Sequence, residues 1–211
     1  MNRPLIVTSY PQSENASAMH SVYSRLHDWR FPNVRKYFAD TGYERYGLEK
    51  KITEIVIACN SASADYSNTD EVRGIVPFGV SSVLKSNGLQ KILIDGNSTF
   101  RSGISRKLFG QHGLPIRERI AQPLSIQIEK GGLSGEKLEN DLQRILKPFK
   151  NNDSILLACT HYPAIENEIK KHLKPSSQLL DPVDEMVGWV QQIWPSKQDS
   201  VETVFMSTGS P

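Results

Sequence analysis

The stretch Asn152–Pro163, which reads Asn-Asp-Ser-Ile-Leu-Leu-Ala-Cys-Thr-His-Tyr-Pro, decides the fold class of this chain. Its apolar run stops abruptly at Cys159, and the polar residues that follow are typical of the C-terminal end of a buried strand. The same pattern occurs once more at residues 55–61, Ile-Val-Ile-Ala-Cys-Asn-Ser. Cys59 and Cys159 are the only cysteines of the chain. Because both end an apolar strand in the same way, the sequence indicates that the two thiols act as a pair.

Further strands and helices alternate along the chain on both sides of these two cysteine strands. Apolar runs predict strands, and three- and four-residue spacing of apolar side chains predicts amphipathic helices. Alternation of this kind is typical of an α/β fold with mostly parallel sheets. The repeated cysteine pattern predicts two pseudo-symmetric α/β lobes. Strands are expected at residues 5–9, 34–38, 91–96, 123–129, 178–181 and 201–206, and helices at residues 18–29, 138–146 and 183–194.

Composition excludes several classes of protein. The chain has 211 residues and a formal net charge of +2, so it lacks the basic excess of a nucleic-acid-binding protein. No apolar run approaches the length of a membrane span. Two cysteines are too few for a disulfide framework. We therefore expect a cytoplasmic protein that binds neither nucleic acid nor membrane.

Two thiols placed on either side of one small molecule can perform a specific reaction. One thiolate removes a proton from one face of a carbon acid, and the other thiol returns a proton to the opposite face. A strand end ahead of a helix N-terminus places N–H donors near each sulfur, which predicts a lowered cysteine pKa. The bare pattern leaves the alternative open that Cys59 and Cys159 are buried packing residues.

The two cysteine motifs resemble the signature motifs of cofactor-independent glutamate racemases, in the aspartate/glutamate racemase superfamily. The motifs are residues 57–64, Ile-Ala-Cys-Asn-Ser-Ala-Ser-Ala, and 159–163, Cys-Thr-His-Tyr-Pro. Shorter matches follow the family order at residues 37–41 with 46–47, 99–103, 181–182 and 207–209. The resemblance covers the chain from about residue 31 to its end.

The resemblance implies a fold, a reaction and a set of site residues. The first lobe would comprise residues 1–75 and 183–211 and carry Cys59, and the second would comprise residues 76–182 and carry Cys159, with the active site between them. The reaction would interconvert L- and D-glutamate without a metal or another cofactor and supply D-glutamate for peptidoglycan. Catalysis would fall to Cys59, Cys159 and His161, with Glu129 supporting His161. The dicarboxylic amino acid substrate would contact Asn60, Ser61, Thr99, Thr160, Tyr46, Gly47 and Ser9.

The chain departs from the family at its N-terminal strand. The family carries Asp-Ser-Gly there, whereas this chain reads Thr8-Ser9-Tyr10-Pro11, without a carboxylate. The link between Gly47 and the first cysteine strand is also too short for the expected helix. Two rival hypotheses stay open: a protein of the same fold that binds a dicarboxylic amino acid with weak or lost activity, and a thiol hydrolase that uses Cys159 with His161. The oligomeric state is open as well, with a homodimer as one arrangement.

Overall fold

Two parallel β-sheets form the framework of the chain. The computed structural model describes residues 54–64, 72–87 and 89–193, together with the backbone of residues 4–8, 35–38 and 205–206. The first sheet has the strand order β4-β3-β1-β2-β9, and all its pairs are parallel. Its strands are β1 (Pro4–Thr8), β2 (Arg35–Phe38), β3 (Glu54–Ile57), β4 (Val72–Gly74) and β9 (Phe205–Met206).

The second sheet has the order β6-β5-β7-β8 and is also parallel throughout. It consists of β5 (Lys91–Asp95), β6 (Arg117–Ile120), β7 (Ser154–Ala158) and β8 (Gln178–Leu180). Central strands β5 and β7 are paired in register, so that Asp95 lies opposite Ala158. Since parallel strands end at the same edge, the residues that follow β5 and β7 emerge side by side.

Helices follow most of these strands. In chain order they are α1 (Asn60–Ala64), α2 (Val76–Lys85), α3 (Asn97–Ser102), α4 (Ile104–Gln111), α5 (Gln122–Glu129), α6 (Glu136–Leu146), α7 (Glu166–Lys171) and α8 (Pro182–Ile193). Two 3₁₀ turns, Lys147–Phe149 and Tyr162–Ile165, complete the described helical elements.

Both faces of the second sheet are covered by helices. Ile92, Ile94, Ile155 and Leu157 pack with helices α5, α6 and α7 on one face. Leu93, Leu156 and Ala158 pack on the other face against side chains of α2 and α4. Burial on both faces explains why β5 and β7 are continuous apolar runs rather than alternating ones.

Helices α2 and α8 connect the two sheets. Val183, Met186, Val187 and Val190 of α8 form a buried cluster with Phe78 of α2 and with residues at the end of β3. The other side of α2 packs on the second sheet through Val80 and Val83. A single helix therefore contributes to the cores above both sheets and fixes their separation.

The predicted α/β class with parallel sheets is confirmed, and one predicted element is wrong. Residues 123–129 were expected to form a half-buried strand because Leu124, Ile126 and Ile128 alternate with polar residues. They form helix α5 instead, in which Leu124 and Ile128 are buried one turn apart and Ile126 is 42% exposed. Pro123 in the first helical turn is favourable for helix entry. The predicted helix at residues 18–29 and the short link before the first cysteine strand lie outside the described residues, and the domain boundaries stay a prediction.

Candidate functional site

The first cysteine lies at the junction between β3 and α1. Cys59 is a free thiol, buried to 6% exposure, and α1 begins at the next residue. The backbone N–H of Ala62 points at the Cys59 sulfur at 3.5 Å, and the N–H of Ser63 donates to the Cys59 carbonyl at 2.9 Å. These contacts hold the sulfur at the first turn of α1.

The hydroxyl of Ser63 fastens this junction to the neighbouring strand. It donates to the carbonyl of Ile57 at 3.1 Å and accepts the N–H of Ile75 at 3.0 Å. Gly74, the last residue of β4, leaves no room for a larger residue there, because an added Cβ would lie 2.8 Å from Ser63 Cβ and Oγ. The position of Cys59 is therefore set by a close contact between α1 and β4.

The second cysteine directly follows β7. Cys159 is a free thiol, less buried than Cys59, and its carbonyl accepts the N–H of Tyr162 at 3.1 Å as the chain turns into a 3₁₀ helix. This turn brings the imidazole of His161 back towards the sulfur, and 3.3 Å separates Cys159 Sγ from His161 Nδ1. The sequence motif thus builds a thiol–imidazole pair from residues two positions apart.

The far side of the imidazole faces a carboxylate on α5. His161 Nε2 lies 3.3 Å from Glu129 Oε1 without hydrogen-bond geometry. Burial lowers the pKa of His161, and the Glu129 charge opposes this. The imidazole is therefore neutral at neutral pH. In the tautomer that carries its proton on Nε2, facing Glu129, Nδ1 is free to accept the proton of the Cys159 thiol.

The two cysteines are electrostatically coupled. Helix α1, which follows Cys59, packs against α3, which follows β5 of the other sheet. The charge of Cys59 is among the causes that raise the pKa of Cys159. Both thiols therefore face the same part of the molecule, at strand ends of different sheets.

The predicted lowering of the cysteine pKa is wrong for Cys159. Burial, the largest cause, raises the pKa of its thiol from 9.0 to about 12, and the charges of Cys59, Glu129 and Asp95 act in the same direction. A backbone hydrogen bond from His161 opposes the increase. Desolvation of the thiolate thus outweighs the N–H donors at the strand end.

Sequence and structure comparisons place this arrangement among known proteins. No family model matches the chain. The chain is 34% identical over 145 residues to the glutamate racemase of Aquifex pyrophilus, covering 61% of this chain and 57% of the relative. Identity to the glutamate racemase of Aquifex aeolicus is 29% over 172 residues, covering 68% of this chain and 67% of the relative. The solved structure of a glutamate racemase from Francisella tularensis in complex with D-glutamate superposes with a TM-score of 0.81 at 20% identity, over 100% of this chain and 89% of that chain.

The chain is therefore similar in sequence to glutamate racemases. The structural likeness independently gives the fold, which is that of glutamate racemases. In sequence, the match spans little more than half the length of the Aquifex pyrophilus relative.

Several predicted substrate contacts are buried polar residues in the segments that follow strands. Asn60, Thr99 and Thr160 are 4%, 1% and 3% exposed. Asn60 Nδ2 and Thr99 Oγ1 have no hydrogen-bond partner among the described residues. Unpaired buried donors are costly, so these atoms are suited to bind a ligand's carboxylate. Ser61, in contrast, is exposed on α1.

Three predicted contacts, Ser9, Tyr46 and Gly47, lie outside the described residues. Within the described ranges, no group of three His, Cys, Asp or Glu side chains could hold a metal ion. No helix of the described part of the chain has the length and apolar character needed to cross a membrane.

The sequence interpretation missed one buried acid of this site. Asp95 ends β5 and is 0% exposed, and burial followed by the charge of Glu118 raises its pKa to about 8. Its charge acts on Cys159. The available signal was an acidic residue at the end of an apolar strand. Asp95 is the last residue of β5, and the two cysteines lie one or two residues after the ends of β7 and β3.

Proposed function

We propose that the chain is a cofactor-independent amino-acid racemase that interconverts L- and D-glutamate. The observation that carries this proposal is that two free thiols follow strands of two different parallel sheets, and that helix α1, which follows Cys59, packs against helix α3 of the other sheet. The related glutamate racemases support both the reaction type and the substrate, and the D-glutamate complex of the Francisella tularensis protein supports an amino-acid ligand.

The proposed reaction divides into two proton transfers at the α-carbon. Cys159, as a thiolate, takes the α-proton of L-glutamate, and the Cys59 thiol donates its proton to the opposite face. The reverse reaction exchanges the roles of the two sulfurs, so each acts once as base and once as acid. The Cys159 thiolate forms when neutral His161 accepts the thiol proton at Nδ1, and Glu129 then faces the resulting imidazolium.

The buried donors at the strand ends would hold the substrate during these transfers. Asn60, Thr99 and Thr160 supply amide and hydroxyl groups, which suit carboxylate oxygens. Ser61, Ser9, Tyr46 and Gly47 complete the proposed substrate contacts by their motif positions. D-glutamate made in this way would supply peptidoglycan synthesis in the cytoplasm, and a homodimer is the proposed assembly.

A second candidate is a racemase-fold protein that binds a dicarboxylic amino acid with weak or lost activity. Two observations favour it. The N-terminal strand is followed by Ser9 and Tyr10 rather than an acid that could pair with the substrate's ammonium group. The raised pKa of Cys159 also keeps its thiolate scarce at neutral pH. This candidate predicts binding without exchange of the α-proton with solvent.

Proton NMR in heavy water separates these functions. We expect L-glutamate to lose its α-proton signal and D-glutamate to appear, with L-aspartate as the competing substrate. Cys59→Ala and Cys159→Ala should each abolish racemisation, and exchange without inversion in one variant would report the remaining base. Binding of glutamate with no exchange supports the second candidate. If Cys59→Ala consumes its substrate as fast as the wild type and an acyl adduct forms on Cys159, the protein would instead be a thiol hydrolase.

A further inference from the structure

Asp95 occupies the strand end next to the second cysteine. It is the last residue of β5 and lies opposite Ala158, the residue before Cys159. Its carbonyl accepts the N–H of Ala121 at 2.8 Å, which fixes its backbone. In parallel strands, paired residues project to the same face. The Asp95 side chain therefore lies on the face of the sheet covered by α2 and α4.

The carboxyl group of Asp95 is fully buried and unpaired. Its side chain is 0% exposed, and neither Oδ1 nor Oδ2 has a hydrogen-bond partner among the described residues. The cation that acts on Asp95 is Arg106 of α4, but this guanidinium forms an ion pair with Glu118 and a 2.9 Å hydrogen bond to the carbonyl of Phe100. Burial and the charge of Glu118 outweigh Arg106 and the backbone N–H of Asp95 itself, so the carboxyl keeps its proton to higher pH than an exposed aspartate does.

Within the described part of the chain, the charged groups that act on Asp95 can be named. Burial is the largest cause that raises the pKa of Asp95, and the charge of Glu118 on β6 is the next. The charge of Arg106 on α4 lowers this pKa. Beyond the end of β7, the charge of Asp95 contributes to raising the pKa of Cys159 and of Tyr162. Cys159 also faces Cys59 and Glu129, whose charges act in the same direction. Asp95 thus belongs to a group of acids in which each additional negative charge makes the next one harder to form.

We propose that Asp95 is a positioning residue for Cys159, whose bound proton keeps the inner side of the thiol site free of negative charge at neutral pH. In this proposal the carboxyl acts through the sulfur and contacts no substrate atom. Loss of its proton in mildly alkaline solution makes the Cys159 thiolate harder to form. For turnover this consequence rests on the proposed racemase function, but the effect on the thiol itself does not.

The thiol can be measured directly. The wild-type chain and Asp95→Asn are alkylated with iodoacetamide from pH 6 to 10, and peptide mass spectrometry separates adducts on Cys159 from those on Cys59. We expect the Cys159 rates of the two proteins to agree at pH 6.5, where Asp95 is protonated and asparagine resembles it. Above pH 8 the wild-type rate should rise less steeply, so that Asp95→Asn reacts about three- to tenfold faster at pH 9.5, the effect of one nearby buried charge.

Two further variants complete the test. Ser105 of α4 is, like Asp95, fully buried, and its hydroxyl has no hydrogen-bond partner among the described residues. Ser105→Ala should leave the pH dependence of the Cys159 rate unchanged because it alters no charge. Glu118→Gln removes a negative charge and releases Arg106 for Asp95. The break in the profile, which is the pH above which the Cys159 alkylation rate rises less steeply, should therefore move to lower pH than in the wild type. This variant carries the test if Asp95→Asn does not fold.

The outcomes are distinct. A rate difference between wild type and Asp95→Asn that is the same at every pH would mean that Asp95 is only structural, and would overturn the proposal. A break that stays in place in Glu118→Gln would overturn it as well. Racemisation is not needed for either readout, so a protein without racemase activity can still confirm or contradict the role of Asp95.

Discussion

Replacement of Ser63 by alanine should destabilise the junction that carries the first cysteine. The Ser63 hydroxyl is buried and joins the end of β3 to the backbone that follows β4, with one bond to the Ile57 carbonyl and one from the Ile75 N–H. Ile75 is 0% exposed, so water cannot replace the lost acceptor. The perturbation removes one oxygen atom and leaves the Cβ that packs against Gly74.

The magnitude follows from the orphaned N–H group. A buried donor left without an acceptor costs about 1–3 kcal/mol, whereas the Ile57 carbonyl loses one neutral hydrogen bond worth about 1 kcal/mol. We therefore expect a loss of about 2–4 kcal/mol in the free energy of unfolding. For a chain of this size each kcal/mol lowers Tm by about 2–4 °C. Racemisation should fall as well, because the lost hydroxyl joins the end of β3, two residues before Cys59, to the backbone of Ile75.

A matched variant isolates the effect of the orphaned donor. Ser82→Ala makes the same chemical change in a buried position of α2, where the hydroxyl donates to the Phe78 carbonyl one turn earlier. That carbonyl retains its helical partner, so the loss should stay below about 1 kcal/mol. Urea unfolding followed by circular dichroism gives both values. Equal losses in Ser63→Ala and Ser82→Ala would refute the reasoning.

Two further predictions concern pH. Burial lowers the pKa of His161 below 6.5, so the racemisation rate should fall only below that pH. Glu129→Gln removes the charge that raises this pKa and should move the fall of the rate in acid to lower pH. A shift of this fall to higher pH would contradict the assignment. The pKa of Asp153 is lowered from 3.8 to about 2, first by the hydrogen bond from Lys174 and then by two backbone N–H groups. Its stabilisation is therefore present above pH 3.8 and lost as the pH falls towards 2, and urea unfolding between pH 5 and 2.5 should show this slope in the wild type and a weaker slope in Asp153→Asn.

The sequence predicted those elements whose burial is decided locally. Strands β5 and β7 each contain an unbroken run of apolar residues, 92–94 and 155–158. Such a run bounded by polar residues is typical of a strand covered on both faces. Helix α6 was predicted because Leu138, Leu142 and Ile145 keep helical spacing over two turns. Helix α5 was not, because it is short and its exposed Ile126 completes an alternating pattern that a strand would share.

The geometry of the site depends on segments far apart in the sequence, and this limited the prediction. The pairing of Cys159 with His161 follows from one motif and needs only a tight turn. The burial of Asp95 does not follow from a single motif, because it requires the neighbouring strand β6 and helix α4, which bring Glu118 and Arg106 beside it. A strand-end aspartate ordinarily lies in solvent, and no local pattern distinguishes it from one that is enclosed.

The raised pKa of Cys159 changes how a two-thiol reaction has to be understood. The dipole of a helix N-terminus contributes about 0.3–2 kcal/mol, whereas a shift from 9.0 to about 12 corresponds to a disadvantage of roughly 4 kcal/mol for the thiolate. The thiolate is therefore rare in the free protein. A scarce thiolate of high pKa is also a stronger base once formed, which suits abstraction of a weakly acidic α-proton. In the proposed racemase the Cys159 thiol proton moves over 3.3 Å to His161. Substitution of His161 should therefore lower kcat for L-glutamate more than kcat for D-glutamate, whose reaction begins at Cys59.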